Sequence, residues 1–171
     1  MDKIEFRKAT IQDIPEIQRV TKKAFTDYSN TINNQNVSAL NETDADVASD
    51  IHNKNVWVCL VDGELVGSVR FEVLEQNIAY LSRLAVDPEI QSLGIGGLLL
   101  EKVRLECLNL GVRAITLYTA SKMRSAVSFY LKNGYYIHDI TKNREYIRAF
   151  MVNELTKMEE MFDYGAIVGD R

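Results

Sequence analysis

LSRLAVDPEIQSLGIGGLLL, residues 81–100, is the stretch from which the rest of the chain can be placed. An apolar strand runs to Val86, Asp87-Pro88 breaks it, and residues 91–97 form a glycine-rich turn into a helix. A strand that feeds a helix N-terminus through such a turn leaves several backbone N–H groups without intrahelical partners. Those groups favour a phosphate.

Working outward from this stretch, residues 78–86 read as its strand, and Gln76-Asn77 turns the chain before it. Asp62-Gly63 between the β-rich runs 56–60 and 65–73 predicts a tight hairpin, so three successive strands form an antiparallel meander. Beyond the turn, Leu99, Val103, Cys107 and Leu110 recur at helical spacing over 94–110, with Gly111 placed to end the helix. A right-handed crossover then makes 112–117 a strand parallel to 78–86. A shorter helix over 122–132 ends at Asn133-Gly134, and strands over 135–140 and 145–155 are joined through 141–144.

The N-terminal part starts with a short strand holding Ile4 and Phe6. Thr10 to Asp13 supplies helix-capping chemistry, with Asp13 accepting from the next turn and Pro15 where its missing donor costs little. Ile14, Ile17, Ala24, Phe25 and Tyr28 mark the first helix, expected to stop before the Asn-rich run 29–38. That run reads as a loop, either lining a site or serving as a surface connection. A second helix starts near Asn41, with Val47, Ala48 and Ile51 inward.

With 171 residues, 46% of them hydrophobic, the chain suits one domain with one substantial core. A net charge of −4 and a pI near 5.3 argue against a general nucleic-acid or membrane binder. Cys59 and Cys107 lie far apart in apolar segments and read as reduced core thiols, as in the cytoplasm. His52 and His138 have no ligand-type residue at metal spacing, so no metal is expected. The N-terminus is charged where a signal peptide needs an apolar run, and no stretch approaches the ~20 apolar residues that span a bilayer.

Two familiar phosphate sites do not fit the turn. A nucleoside-triphosphate loop ends in Gly-Lys-Ser/Thr, whereas this turn continues Gly96-Gly97-Leu98. A dinucleotide fold needs a third glycine, replaced by Leu99, and an acid at the end of the next strand, which instead ends Leu117-Tyr118-Thr119. What remains is a diphosphate site made of backbone amides, or a purely structural glycine turn.

Gln91-Ser92-Leu93-Gly94-Ile95-Gly96 resembles the Gln/Arg-x-x-Gly-x-Gly/Ala signature of the GCN5-related N-acetyltransferases (GNAT). Leu84-Ala85-Val86-Asp87-Pro88 resembles the strand end before that signature. Phe6-Arg7-Lys8-Ala9-Thr10 with Asp13 is similar to the family's opening, and residues 126–135, AVSFYLKNGY, to its late helix and following strand. The resemblance covers most of residues 3–136. It departs at Met123, where the family often has a cofactor-contacting Asn.

The resemblance implies an α+β, three-layer GNAT fold over 1–155, with a mixed central sheet of about seven strands and helices on both faces. Residues 156–171 form a tail packed on the domain or on a second copy, the latter giving a homodimer. It implies acetyl-CoA as co-substrate, with no metal. Leu84, Ala85 and Val86 would pair with pantetheine. Gln91, Ser92, Leu93, Gly94, Ile95, Gly96, Gly97 and Leu98 would hold the diphosphate. Tyr130 becomes the proton donor to the leaving thiolate. The base is not legible: candidates are Glu72, which also reads as a solvated strand carboxylate, Glu75, and a water held by Tyr80 or Ser82, which share a face with Leu84 if the strand alternates. Arg83, on the other face, suits a structural ion pair. Asp27, Glu42 and Asp139 are carboxylates that can attract a cationic acceptor. The expected activity is acetyl transfer to a primary amine of a small molecule or peptide; the alternative is a non-catalytic acyl-CoA sensor or scaffold.

Overall fold

The computed structural model describes residues 2–142 and 145–171, apart from the side chain of Gln91. The expected connection 141–144 therefore lies partly outside the described residues. In chain order the elements are β1 (Ile4–Lys8), α1 (Ile14–Ile32), α2 (Asp44–Asn53), β2 (Asn55–Val61), β3 (Glu64–Val73) and β4 (Ile78–Val86). There follow α3 (Ile95–Asn109), β5 (Ala114–Ala120), α4 (Arg124–Lys132), β6 (Tyr136–Lys142), β7 (Ile147–Glu154) and α5 (Tyr164–Val168). The strands form one mixed seven-stranded sheet in the order β1-β2-β3-β4-β5-β7-β6, an α+β arrangement as expected. The pairing of β4 with β5 is parallel, through Ile78↔Ala114, Ala79↔Ile115 and Tyr80↔Thr116, whereas β7 runs antiparallel to both β5 and β6.

By its contacts the chain divides into two compact units, one comprising Met1–Phe71 and Ser82–Lys102, the other Glu72–Leu81 and Val103–Arg171. In the first, Ile17 and Val20 of α1 and Val47 of α2 bury against Val56, Val58, Leu65 and Ala85 of the strands. Gly67 in β3 faces α3 at close range: a Cβ there would lie 3.0 Å from Leu99 Cδ1 and 3.3 Å from the Ala85 carbonyl oxygen. A side chain at this position would require Leu99, Ile95 or the Ala85 backbone to give by a few tenths of an ångström.

Two local expectations in this unit fail. α1 does not stop at Ser29 but runs to Ile32, where Asn33 turns left-handed at φ +53°. The polar side chains meant to break it instead bond within reach of the helix: the buried Ser29 hydroxyl donates to the Asn34 carbonyl at 2.6 Å, and Thr31 Oγ1 to the Asp27 carbonyl at 3.0 Å. Asp13 does not cap α1 with its side chain. Its carboxylate faces back, taking the Thr10 N–H at 2.7 Å and both terminal nitrogens of Arg7 at 2.7 and 2.8 Å.

In the second unit Ile78, Ala114, Phe150 and Val152 form a core that Met158, Tyr164 and Val168 of the 156–171 segment complete. His138 is exposed on β6 and stacks edge-on against Phe150 and Tyr164, with ring centroids 5.8 and 5.0 Å away. Along α3, Leu99, Val103 and Cys107 are fully buried as the spacing predicts, but Leu110 is 51% exposed. The helix ends at Asn109, so Leu110 lies past the stripe. Cys59 and Cys107 are buried free thiols; burial pushes them up to about 11 and about 12. Among the described residues no helix is long and apolar enough to cross a membrane.

Candidate active site

The end of β4 and the turn after it are firmly pinned. The Asp87 N–H donates to the Val66 carbonyl at 2.8 Å, while its buried carboxylate receives Arg19 at 2.9 Å and Lys23 at 3.1 Å from α1. Burial alone would raise this carboxyl, but the Glu89 N–H, Arg19 and Lys23 outweigh it and hold it below the usual carboxylate range. A 3₁₀ turn over Pro88–Leu93 leads to Gly94 at φ +71°, and α3 starts at Ile95. The Leu98 N–H donates to the Gly94 carbonyl at 3.2 Å as the first helical bond, so the amides of Ile95, Gly96 and Gly97 precede the ladder. Ile95, Leu99 and Leu100 anchor the helix inward, whereas Ser92, Leu93, Gly94 and Leu98 are exposed and Gly96 and Gly97 half-buried. The side chain of Gln91 lies outside the described residues.

Within β4 the simple alternation fails. Arg83 is left-handed at φ +54°, Ser82, Arg83 and Leu84 are all partly exposed, and Ala85 and Val86 are buried in succession. A bulge-like kink re-aims the residues after it, so Leu84 does not simply continue the face of Ser82. Arg83 is in the ion pair its position suggested: Nε donates to Glu42 Oε1 at 2.8 Å and Nη2 to Ser38 Oγ at 3.0 Å. Glu42 also receives the fully buried Arg70 at 2.7 and 2.9 Å, and Arg70 reaches Asp50 at 2.7 Å. Glu42 is thus neutralised by two guanidinium groups and is not an open trap for a cationic acceptor. Asp27 shares an open cleft of about 530 Å³ with Arg19, Lys22 and Lys23. Asp139 accepts the neighbouring Ile140 N–H at 2.7 Å.

Tyr130 projects from α4, half-buried, with its ring edge-on to Phe129 at 5.3 Å and Tyr135 at 5.6 Å. Burial, and then the nearby Tyr80 phenol, push the Tyr130 hydroxyl well above the usual phenol range, so it stays protonated. Among the described residues that hydroxyl has no hydrogen-bond partner. Met123 forms the N-cap of α4 without a side-chain bond. Glu72 is not freely solvated: Arg171 Nε lies 3.4 Å from its Oε1. Glu75 is exposed on the 3₁₀ turn Glu75–Asn77.

Arg70 on Glu42 and Arg171 on Glu72 went unread in the sequence, as did Arg148, which holds the Arg171 backbone. Arg70 has a weak signal, a lone cation between Val69 and Phe71 in an otherwise buried strand. Arg148 and Arg171 have none, because their partners lie far away in the chain. Among the described residues no group of three or more His, Cys, Asp or Glu is placed to hold a metal ion.

The model of the acetyltransferase (GNAT) family matches residues 17–135. No curated protein sequence matches the chain. Among solved structures, PaiA N-acetyltransferase from Thermoplasma acidophilum in complex with coenzyme A is similar at 21% identity and TM-score 0.79, covering 89% of this chain and 99% of that one. The ribosomal-protein-S18-alanine N-acetyltransferase from Escherichia coli is 18% identical with TM-score 0.75, over 94% and 99% of the two chains. YncA from Salmonella typhimurium with its cofactor acetyl-CoA is 14% identical with TM-score 0.73, over 92% and 96%. At these identities the likeness is one of fold.

Proposed function

Because this chain belongs to the acetyltransferase (GNAT) family, we propose that it moves an acetyl group from acetyl-CoA to a primary amine of a small molecule or peptide by direct attack on the thioester. The observation that carries this reading is the turn before α3. Gly94 at φ +71° opens a long helix whose first amides precede its hydrogen-bond ladder and whose inner face is locked by Ile95 and Leu99. That donor set suits a diphosphate and requires no lysine or magnesium.

Bound acetyl-CoA supplies an acyl group already activated as a thioester. On this reading the amides of residues 91–98 hold the diphosphate, and the backbone of Leu84, Ala85 and Val86 pairs with the pantetheine amides as an added strand. A backbone N–H of the same segment stabilises the oxyanion. An alkyl ammonium has a pKa of about 10 and must lose a proton before attack; Glu72 accepts it, directly or through water. Tyr130, held protonated by burial, gives its proton to the departing thiolate. The same reading has the protein at work in the cytoplasm.

Incubation with acetyl-CoA and a panel of amines, following free thiol and acetylated product together, tests this. The wild type is expected to acetylate at least one primary amine, and Tyr130→Phe to lose about 10²-fold in kcat with CoA affinity retained. Equal turnover by both proteins removes Tyr130 from the mechanism; CoA binding without turnover on any amine supports the sensor alternative.

A further inference from the structure

The segment Gly169–Arg171 is fastened to the second unit by its backbone. The Tyr118 hydroxyl donates to the Gly169 carbonyl at 2.9 Å, and Nη1 of the buried Arg148 donates to the Arg171 carbonyl at 2.7 Å. Arg148 Nη2 bonds Asp170, and its guanidinium stacks 3.8 Å over the Tyr118 ring. From this clamp the Arg171 side chain reaches further. Its Nη1 donates to Val168 in its own segment at 2.5 Å, its Nε lies 3.4 Å from Glu72 Oε1, and its guanidinium is 5.9 Å from the centre of the Tyr80 ring.

We propose that the Glu72 carboxylate and the Tyr80 ring form a subsite for the cationic group of the acceptor, and that Arg171 fills it in the free protein as a displaceable internal ligand. A carboxylate beside an aromatic face recognises an ammonium or guanidinium by charge and by the ring quadrupole together. The occupant is of that chemical class. Its hold is weak where it matters: one long hydrogen bond between groups 36% and 27% exposed, a kind of pair that contributes little in water. The backbone clamp keeps the guanidinium close at hand, so an incoming cation has to displace one side chain and no element of the fold. Tyr80 also lies near enough to Tyr130 to bear on its phenol, which ties the subsite to the proposed proton donor. This inference rests on the acetyl-transfer reading for its acceptor, but not for its binding chemistry.

Binding of 1,4-diaminobutane, with neutral 1,4-butanediol as control, can be followed by NMR titration of the whole protein with CoA present. Turnover with acetyl-CoA is measured separately. Arg171→Gln is expected to bind the diamine about tenfold more tightly than wild type, the scale of one exposed ion pair plus one cation–aromatic contact. Arg171→Lys should restore the wild-type affinity, Glu72→Gln should remove the gain in the Arg171→Gln background, and the diol should not respond to any variant. Equal diamine affinity for wild type and Arg171→Gln overturns the subsite even if amines are acetylated. An Arg171-dependent affinity without turnover upholds the subsite and removes the acetyl-transfer reading.

Discussion

Arg83 reaches Glu42 from a left-handed backbone: Nε lies 2.8 Å from Oε1 while φ at Arg83 is +54° in the middle of a strand. The contact and the kink are coupled, since a side chain on a regular strand would leave from a different direction. Removing the pair separates the two effects. Arg83→Gly loses the ion pair and relieves the backbone, whereas Arg83→Ala loses the pair and keeps the strain. The glycine variant is expected to be the more stable by about 1 kcal/mol in urea unfolding, against the usual order in strands. Alanine as the more stable residue would mean that the kink is not held at a cost.

Glu42→Gln leaves Arg70, fully buried, with Asp50 as its remaining acid. Losing one partner of a buried charge costs about 3 kcal/mol. The urea midpoint should fall with an unchanged slope. Asp27→Asn, in the open cleft, should shift it by no more than about 0.5 kcal/mol.

Asp13 provides a pH signature. The hydrogen-bonded Arg7 guanidinium, helped by the Thr10 N–H, holds its carboxyl down at about 2. A carboxyl depressed in the folded state stabilises above its unfolded value near 4 and loses that contribution as the pH falls through about 2. Asp13→Asn should therefore cost about 2 kcal/mol at pH 7 and only a small fraction of that at pH 2, where the folded carboxyl is half protonated. A stability difference that persists unchanged into acid would rule out the ion pair as its source.

Both cysteines should be silent toward a thiol reagent at pH 8. Their thiols are buried and pushed up to about 11 and about 12, which leaves almost no thiolate. Two equivalents should react once denaturant is added. Rapid labelling of either in the native protein would show local opening around β2 or α3.

Features set by neighbours in the chain could be read from the sequence. Asp62-Gly63 makes the hairpin, with φ of +50° and +87°; Gln76 and Asn77 turn the chain at +54° and +58°; and β4 ends at Val86 before Asp87-Pro88, as expected. The glycine turn before α3 was legible for the same reason, since Gly94 and the helix start lie within a few residues. Features set by distant partners were not legible. Nothing near Ser29 announces that its hydroxyl will bond Asn34 and let α1 continue. Nothing near Glu42 shows that Arg70 and Arg83 converge on it. Arg83 itself breaks the alternation on which the faces of β4 were assigned, and alternation carries no marker for a positive φ at a non-glycine residue. The contact of Arg171 with Glu72 spans most of the chain.

The sheet order also constrains how the chain is assembled. Among the described residues β6 bonds to β7 alone, which is synthesised after it, and every residue of β6 except Thr141 is exposed. On a ribosome β6 emerges as a strand with no partner, and it stays one until β7 has paired with β5 and offers its other edge. A nascent chain stalled before residue 147 therefore presents the open edge of β5 and an unpaired β6, each able to recruit a strand from another molecule. β7 is the element whose arrival closes that interval, so slowed translation after β6 should endanger yield more than slowed translation anywhere before it.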